Sequence, residues 1–375
     1  MRKPKFISKS SRSSKSTIRR AAQSKWLEIV PNEIWSQICE LLPHADQFAF
    51  MLIARRLHDI GAYEAYKSLV LHGARGRQCC VSLACGSNTS TFYLSLIRDL
   101  TYYALESSDR HLSFPVFSRI LPHMPNIHTL NIHIAPHMSG FFMYCMDRRI
   151  IKEPNLFSTL GSPNDTNKIL SLPWLHKLIL NGNTALLPLA PFQNLTYFEM
   201  TLFNTDSSLA NILQCFDTED GRRRMRSIRL RFHEFVDIAQ VAEAISTTLP
   251  YLEAVVLEQP FLNVKDLLQV LIKKPTLFLC MRRLHLNITD QRPRYWKKEG
   301  PYSRAPIFLP LLGKIKAERD EFSLVTFGRV GWLQRKGKFV EVDVSLFKST
   351  TLWYGNTFLA NSTIVRVCCQ LSYIM

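Results

Sequence analysis

Several common features are missing from this sequence, and each absence narrows the reading. No apolar run approaches the ~18 residues that a membrane-spanning helix needs, and the first residues lack the apolar centre of a secretory signal. The expectation is a soluble intracellular protein, cytoplasmic and/or nuclear, with no membrane partner. There is no Gly-rich phosphate loop, no Gly-x-Ser-x-Gly elbow and no His-Glu-x-x-His, so these nucleotide, hydrolase and zinc-peptidase chemistries have no anchor. Zinc-finger spacing is missing too. The nine cysteines are an odd number, with Cys79-Cys80 and Cys368-Cys369 adjacent, and reduced thiols are expected rather than a disulfide framework. Cys79, Cys80 and Cys85 have no base at a readable spacing and read as buried or inert. The run His123, His128, His133, His137 suits neither face of a strand, is interrupted by Pro125 and Pro136, and has no acid or Cys nearby. No metal and no cofactor is expected.

Acidic residues are missing from the first 25 positions, which hold Arg2, Lys3, Lys5, Lys9, Arg12, Lys15, Arg19, Arg20 and Lys25 among many serines. Such a segment has almost nothing to bury and repels itself. Three readings stay open for it: a solvated tail, a nuclear-localisation or nucleic-acid-binding arm, or a mitochondrial presequence. Because it supplies more than half of the formal charge of +17, the remaining chain is not basic enough to make nucleic acid an expected partner.

What is present is apolar material for a sizeable core: 46% hydrophobic residues in a chain of 375, enough for two or three domains. The stretch "VPNEIWSQICELLPHADQFAFMLIARRL" (Val30 to Leu57) has more of it than a short helical segment needs. Pro31 suits a first helical turn and Glu33 complements its positive end. Ile34, Ile38, Leu41 and Leu42 then form one stripe, with Trp35 beside it. Pro43 stops the helix and Asp46 is placed to cap a second. That second segment, Phe48 to Ala54, is apolar on every side and needs cover all round. A third supplies Leu57, Ile60, Tyr66 and Leu69 as core candidates. Three short helices in about 40 residues bury too little surface to be robust alone. Pro31, Ile34, Ile38 and Leu52 therefore read as an interface, either for another protein or for the downstream domain.

The order Pro31-Asn32-Glu33-Ile34, Ile38, Leu41-Leu42, Asp46, Arg55-Arg56-Leu57 resembles the F-box motif, especially its fungal form, and "AYKSLVLHG" resembles the segment that often follows it. Val30 stands where Leu is usual, and Leu57 where many F-boxes carry an aromatic. The resemblance covers residues 26 to 73. It implies binding of a Skp-type adaptor, and through it a cullin ubiquitin-ligase scaffold, with Pro31, Glu33, Ile34, Ile38, Leu41, Leu42, Asp46, Leu52 and Arg55 as contacts.

Beyond residue 95 one apolar frame recurs: Ile97-Leu100-Tyr102, Ile127-Leu130-Ile132, Leu175-Leu178-Leu180, Leu195-Phe198-Met200, Met225-Ile228-Leu230, Leu252-Val255-Leu257, Met281-Leu284-Leu286 and Phe322-Val325-Phe327. Pro precedes several copies ("LPHMPNIHTL", "LPWLHKL", "LPYLEAVVL") and would release the chain from a helix into extended form. Helix-like stretches lie between: "SLANILQCF", "FVDIAQVAEAIST" and "VKDLLQVLIKK". Short strand and helix alternating at this period read as a leucine-rich-repeat solenoid; a closed α/β domain with a parallel sheet is the alternative.

The expected fold class is α+β: a short N-terminal helical F-box, then an irregular α/β leucine-rich-repeat solenoid. The expected limits are a basic tail at 1–25, the box at 26–73, repeats at 74–335 and an irregular segment at 336–375. Residues alternating with the frame would line a solvated concave face. Among them Lys177, Tyr197, Glu199, Arg229, Arg231, Arg283 and His285 are the candidate contacts for a protein target of unknown identity. The surface near Arg229, Arg231, Arg283 and His285 is expected to be basic, suited to an acidic or phosphorylated segment. "GRRRMRSIRLR" (Gly221 to Arg231) has the charge of a nucleic-acid patch without its aromatics, and reads as a loop entering a strand. The functional expectation is a non-catalytic substrate receptor of an SCF-type ligase, the alternative a repeat scaffold or nuclear regulator using the helical box for another partner.

Overall fold

The computed structural model describes residues 27, 29–106, 109–152, 172–182, 184–189, 194–202, 206–216, 218–233, 236–259, 264–288, 305–319, 321–327, 330–335 and 338–343. The basic tail at 1–25 lies outside them. The chain divides into two compact units, Met1–Ser68 and Leu69–Met375.

The first unit is three helices: α1 (Asn32–Leu41), α2 (His44–Met51) and α3 (Arg55–Lys67). Pro31 and Pro43 hold the positions just before α1 and α2, and both are extended. Asp46 was expected to cap α2; instead it stands inside the first turn, where its charge favours the positive helix end. Buried Gln47 secures the end of α1, its amide donating to Cys39 O (3.1 Å) and Leu42 O (3.4 Å). Arg56 ties the start of α3 to the start of α1, donating to Asn32 Oδ1 (2.9 Å), Val30 O (3.2 Å) and Leu27 O. Gly61 lets α3 approach α2, for a Cβ there would lie 2.6 Å from Met51 Cγ. The core is small: Cys39, Phe50 and Leu57 are buried, with Leu27, Trp35, Leu42, Ala54 and Ile60 against them.

The second unit is mixed α/β around a sheet of eleven strands among the described residues. These are β1 (Ser68–Leu71), β2 (Asp99–Ala104), β3 (Thr129–Ile134), β4 (Lys177–Asn181), β5 (Tyr197–Leu202), β6 (Ser227–Phe232), β7 (Ala254–Gln259), β8 (Arg283–Ile288), β9 (Leu324–Phe327), β10 (Val330–Arg335) and β11 (Lys338–Asp343). The sheet begins at Ser68, which puts the end of the helical unit five residues before the expected 73. Strand order in space is strand order in sequence, without a reversal. β2 to β9 are parallel, and β9, β10 and β11 pair antiparallel. Lys338–Asp343 is thus a regular strand in the segment expected to be irregular, and 344–375 lies outside the described residues.

Helices join the strands: α4 (Gly73–Leu83), α5 (Asn88–Leu96), α6 (Asp109–Ile120), α7 (Ser139–Lys152), α8 (Asp206–Cys215), α9 (Glu219–Arg224), α10 (Ile238–Thr248), α11 (Val264–Lys273) and α12 (Ala305–Glu318). Several starts follow from local chemistry. Ser87 Oγ accepts from Ser90 N–H before α5, and Asp237 Oδ1 accepts from Ala239 N–H before α10.

Register explains the recurrent frame. Leu100, Leu130, Leu178, Phe198, Ile228, Val255, Leu284 and Val325 are paired one to the next across β2 to β9. Every one is at most 1% exposed. At the edge where these strands begin, the carbonyls of Arg98, His128, His176, Thr196, Arg226, Glu253 and Arg282 each accept two N–H groups from the next coil, at 2.7 to 3.1 Å.

Candidate functional site

Two surfaces hold the residues singled out in the sequence. On the first unit, α1 has two adjacent apolar stripes. Trp35, Cys39 and Leu42 turn to the core, while Ile34, Ile38 and Leu41 turn outward, 43%, 39% and 85% exposed. Leu52, at the end of α2, is 85% exposed, and Ile53 and Phe48 are exposed beside it. The apolar run Phe48 to Ala54 is therefore covered on one side only, by Phe50 and Met51 turning inward. Pro31, Glu33, Asp46 and Arg55 are exposed too, whereas Leu42 is half-buried against the core. Cys39 takes no part; burial, and then the Glu64 carboxylate, push its thiol up to about 11.

On the second unit, the residues alternating with the frame do share one face of the sheet, and they are linked. Lys177 Nζ lies over the Tyr197 ring, 5.1 Å from its centroid. Tyr197 donates its hydroxyl proton to Glu199 Oε2 (2.6 Å). Arg229 reaches Glu199 Oε1 (3.6 Å) and donates from Nε and Nη2 to Glu258 Oε1 (3.0 and 2.6 Å). Arg231 Nε donates to Glu258 Oε2 (2.7 Å). Only the register shows this, because Arg231 sits directly opposite Glu258 across β6 and β7.

The expected basic, solvated face is corrected by this geometry. Glu199 and Glu258 offset Arg229 and Arg231. Burial opposes the charge on Glu258, but the two arginines outweigh it and hold the carboxyl below its usual range. Burial also works against the Arg229 charge, yet Glu199 and Glu258 keep it protonated. His285 is pushed down to about 4 by burial, hence uncharged at neutral pH, and its Nδ1 meets Thr326 Oγ1. All six residues of β7 are buried, on both sides of the strand, and Arg283 is half-buried.

Farther along the same face the contacts are uncharged. His133 stacks on Tyr103 at 4.3 Å, and Asn181 Nδ2 lies 2.7 Å from His133 Nδ1. Thr201 Oγ1 donates to Asn181 Oδ1 (2.7 Å). Burial lowers His133 to about 4, so the ring is neutral and its Nδ1 accepts from the amide.

Among the described residues no group of three His, Cys, Asp or Glu side chains is placed to hold a metal ion, and no helix is long and apolar enough to cross a membrane. Comparison of the sequence with known family models and with curated proteins gives no match to either.

Proposed function

We propose that this chain is the substrate-recognition subunit of an SCF-type cullin ubiquitin ligase. In this reading the first unit is the F-box that docks a Skp-type adaptor, and the second is an irregular leucine-rich-repeat solenoid that holds a protein target. The observation that carries the proposal is the exposure of four apolar side chains, Ile34, Ile38, Leu41 and Leu52, on a unit whose own core holds few side chains. Fully burying such a side chain stabilises by roughly 1.5–3 kcal/mol. A covering partner therefore gains several favourable contacts at once. The strand order supports the solenoid reading, since a doubly wound sheet reverses its order at a switch point, whereas stacked coils add strands one way.

Under this proposal the chain does no chemistry of its own and needs no cofactor. It tethers a target on the scaffold that also carries the charged ubiquitin-conjugating enzyme, and the reaction gains from raised effective concentration. The compartment follows the ligase, cytoplasmic and/or nuclear.

Calorimetric titration of purified Skp-type adaptor into the full chain tests the reading. Wild type binds, and a Pro31→Ala, Ile34→Ala double variant loses at least about tenfold in affinity with its melting profile unchanged. Adaptor binding retained in full by the variant withdraws the contact assignment, and no binding by wild type withdraws the function.

A further inference from the structure

At the edge where the parallel strands begin there is a cleft of about 380 Å³, lined by His128, Trp174, Leu175, His176, Asn194 and Arg224 among others. Its volume is in the range of sites that seat a small group of atoms. Leu175 is fully buried and forms the floor, whereas Trp174 is 61% exposed. The His128 and His176 rings are 5.6 Å apart. Burial, then His176 and Arg98, lower the pKa of His128, so that imidazole adds an uncharged, polarisable wall. Arg224 is exposed at the end of α9 and donates from Nη1 to Asn194 Oδ1 (3.0 Å). That partner is neutral, so the contact fixes the guanidinium without cancelling its charge. The fold therefore supplies what "GRRRMRSIRLR" lacks in sequence: an aromatic beside an arginine.

We propose that this cleft is the docking point for the target, and that it fits an acidic peptide segment carrying one apolar or aromatic anchor side chain. The word target rests on the substrate-receptor reading; the binding chemistry stands without it. Exposed Trp and Arg together are the residue types on which protein interfaces concentrate their binding energy. The sheet face competes poorly for that role, because its charges already satisfy one another and much of it is buried. Carboxylates interleave the arginines of this edge: Glu219 pairs with Arg223 (2.5 Å) and Glu253 with Arg226 (3.4 Å). A continuous polyphosphate would meet those acids, whereas a short acidic segment needs only Arg224 and the indole.

The test uses the full chain without adaptor. An array of labelled dodecapeptides sets acidic, basic or neutral flanks around a central Leu, Phe or Ser, and a twelve-residue oligouridylate is run beside it. Acidic peptides with Leu or Phe are expected to bind, and Trp174→Ala and Arg224→Gln each to weaken them about tenfold or more. Arg75→Gln, exposed on α4 and outside the cleft lining, leaves the affinity within about twofold of wild type. Failure of every acidic peptide overturns the proposal, as does equal loss in all three variants. Tighter binding of the oligouridylate, lost in the Trp174 and Arg224 variants, assigns the cleft to nucleic acid instead. Both cleft side chains are exposed, so folding is preserved and is checked by circular dichroism. Because adaptor is absent, failure here leaves the adaptor titration standing, and the reverse.

Discussion

His133 and His285 report on the interior of the sheet face better than any charged residue there. Both are held near 4 by burial, against an ordinary value of about 6.5 in the unfolded chain. His128 shifts in the same direction. Between those values the unfolded chain binds protons that the folded chain refuses, so stability is full above about pH 6.5 and is lost as pH falls toward 4. The measurable outcome is a urea midpoint that declines steadily across that window, with a shallower decline in His133→Gln. A midpoint flat from pH 7 to 4 in wild type excludes neutral, half-buried imidazoles. At this scale the sequence was only partly legible. Ile34, Ile38 and Leu52 stood out as surplus apolar residues because nothing in so short a segment could use them. Glu258 was one alternating residue among many, and its grip on Arg229 and Arg231 depends on the register of β6 against β7.

Among the elements, the strands were the most readable. Each recurrent frame from Ile97 to Phe327 falls on or just before one of β2 to β9, because alternate burial along an extended chain leaves a period-2 trace. The helices α8, α10 and α11 were readable too, from apolar residues recurring at helical spacing. β10 and β11 carry no such frame. They pair antiparallel, and the pattern that marks the parallel strands stops before them. Replacing Leu284 by Ala tests whether the frame is structural. Its side chain sits between Val255 and Val325 in register and is 1% exposed. Truncation there should cost about 2–5 kcal/mol, read as a lowered denaturation midpoint. A cost below about 0.5 kcal/mol, the size usual for surface positions, contradicts the packing of the frame into the core.

For the whole molecule, two compact units imply two unfolding events. The helical unit has the smaller core, and differential scanning calorimetry should show it melting first, separately from the sheet. Saturating Skp-type adaptor should raise only that first transition, by about 2.7 kcal/mol of linkage at a hundredfold excess over Kd. One cooperative transition moved as a whole by adaptor contradicts this division. The two-sided burial of β7 was not legible in the sequence, since a single sequence shows which residues are apolar but not which neighbours close over them.

The double N–H contacts at the start of each parallel strand fix where a coil must re-enter the sheet, and leave free how far it wanders before returning. The chain runs from His128 to His176 in one excursion and from His176 to Thr196 in another, yet both land on the same latch. Excursion length is therefore a freely variable quantity in this architecture. New segments can be spliced into the outer turns while the spine beneath keeps its phase.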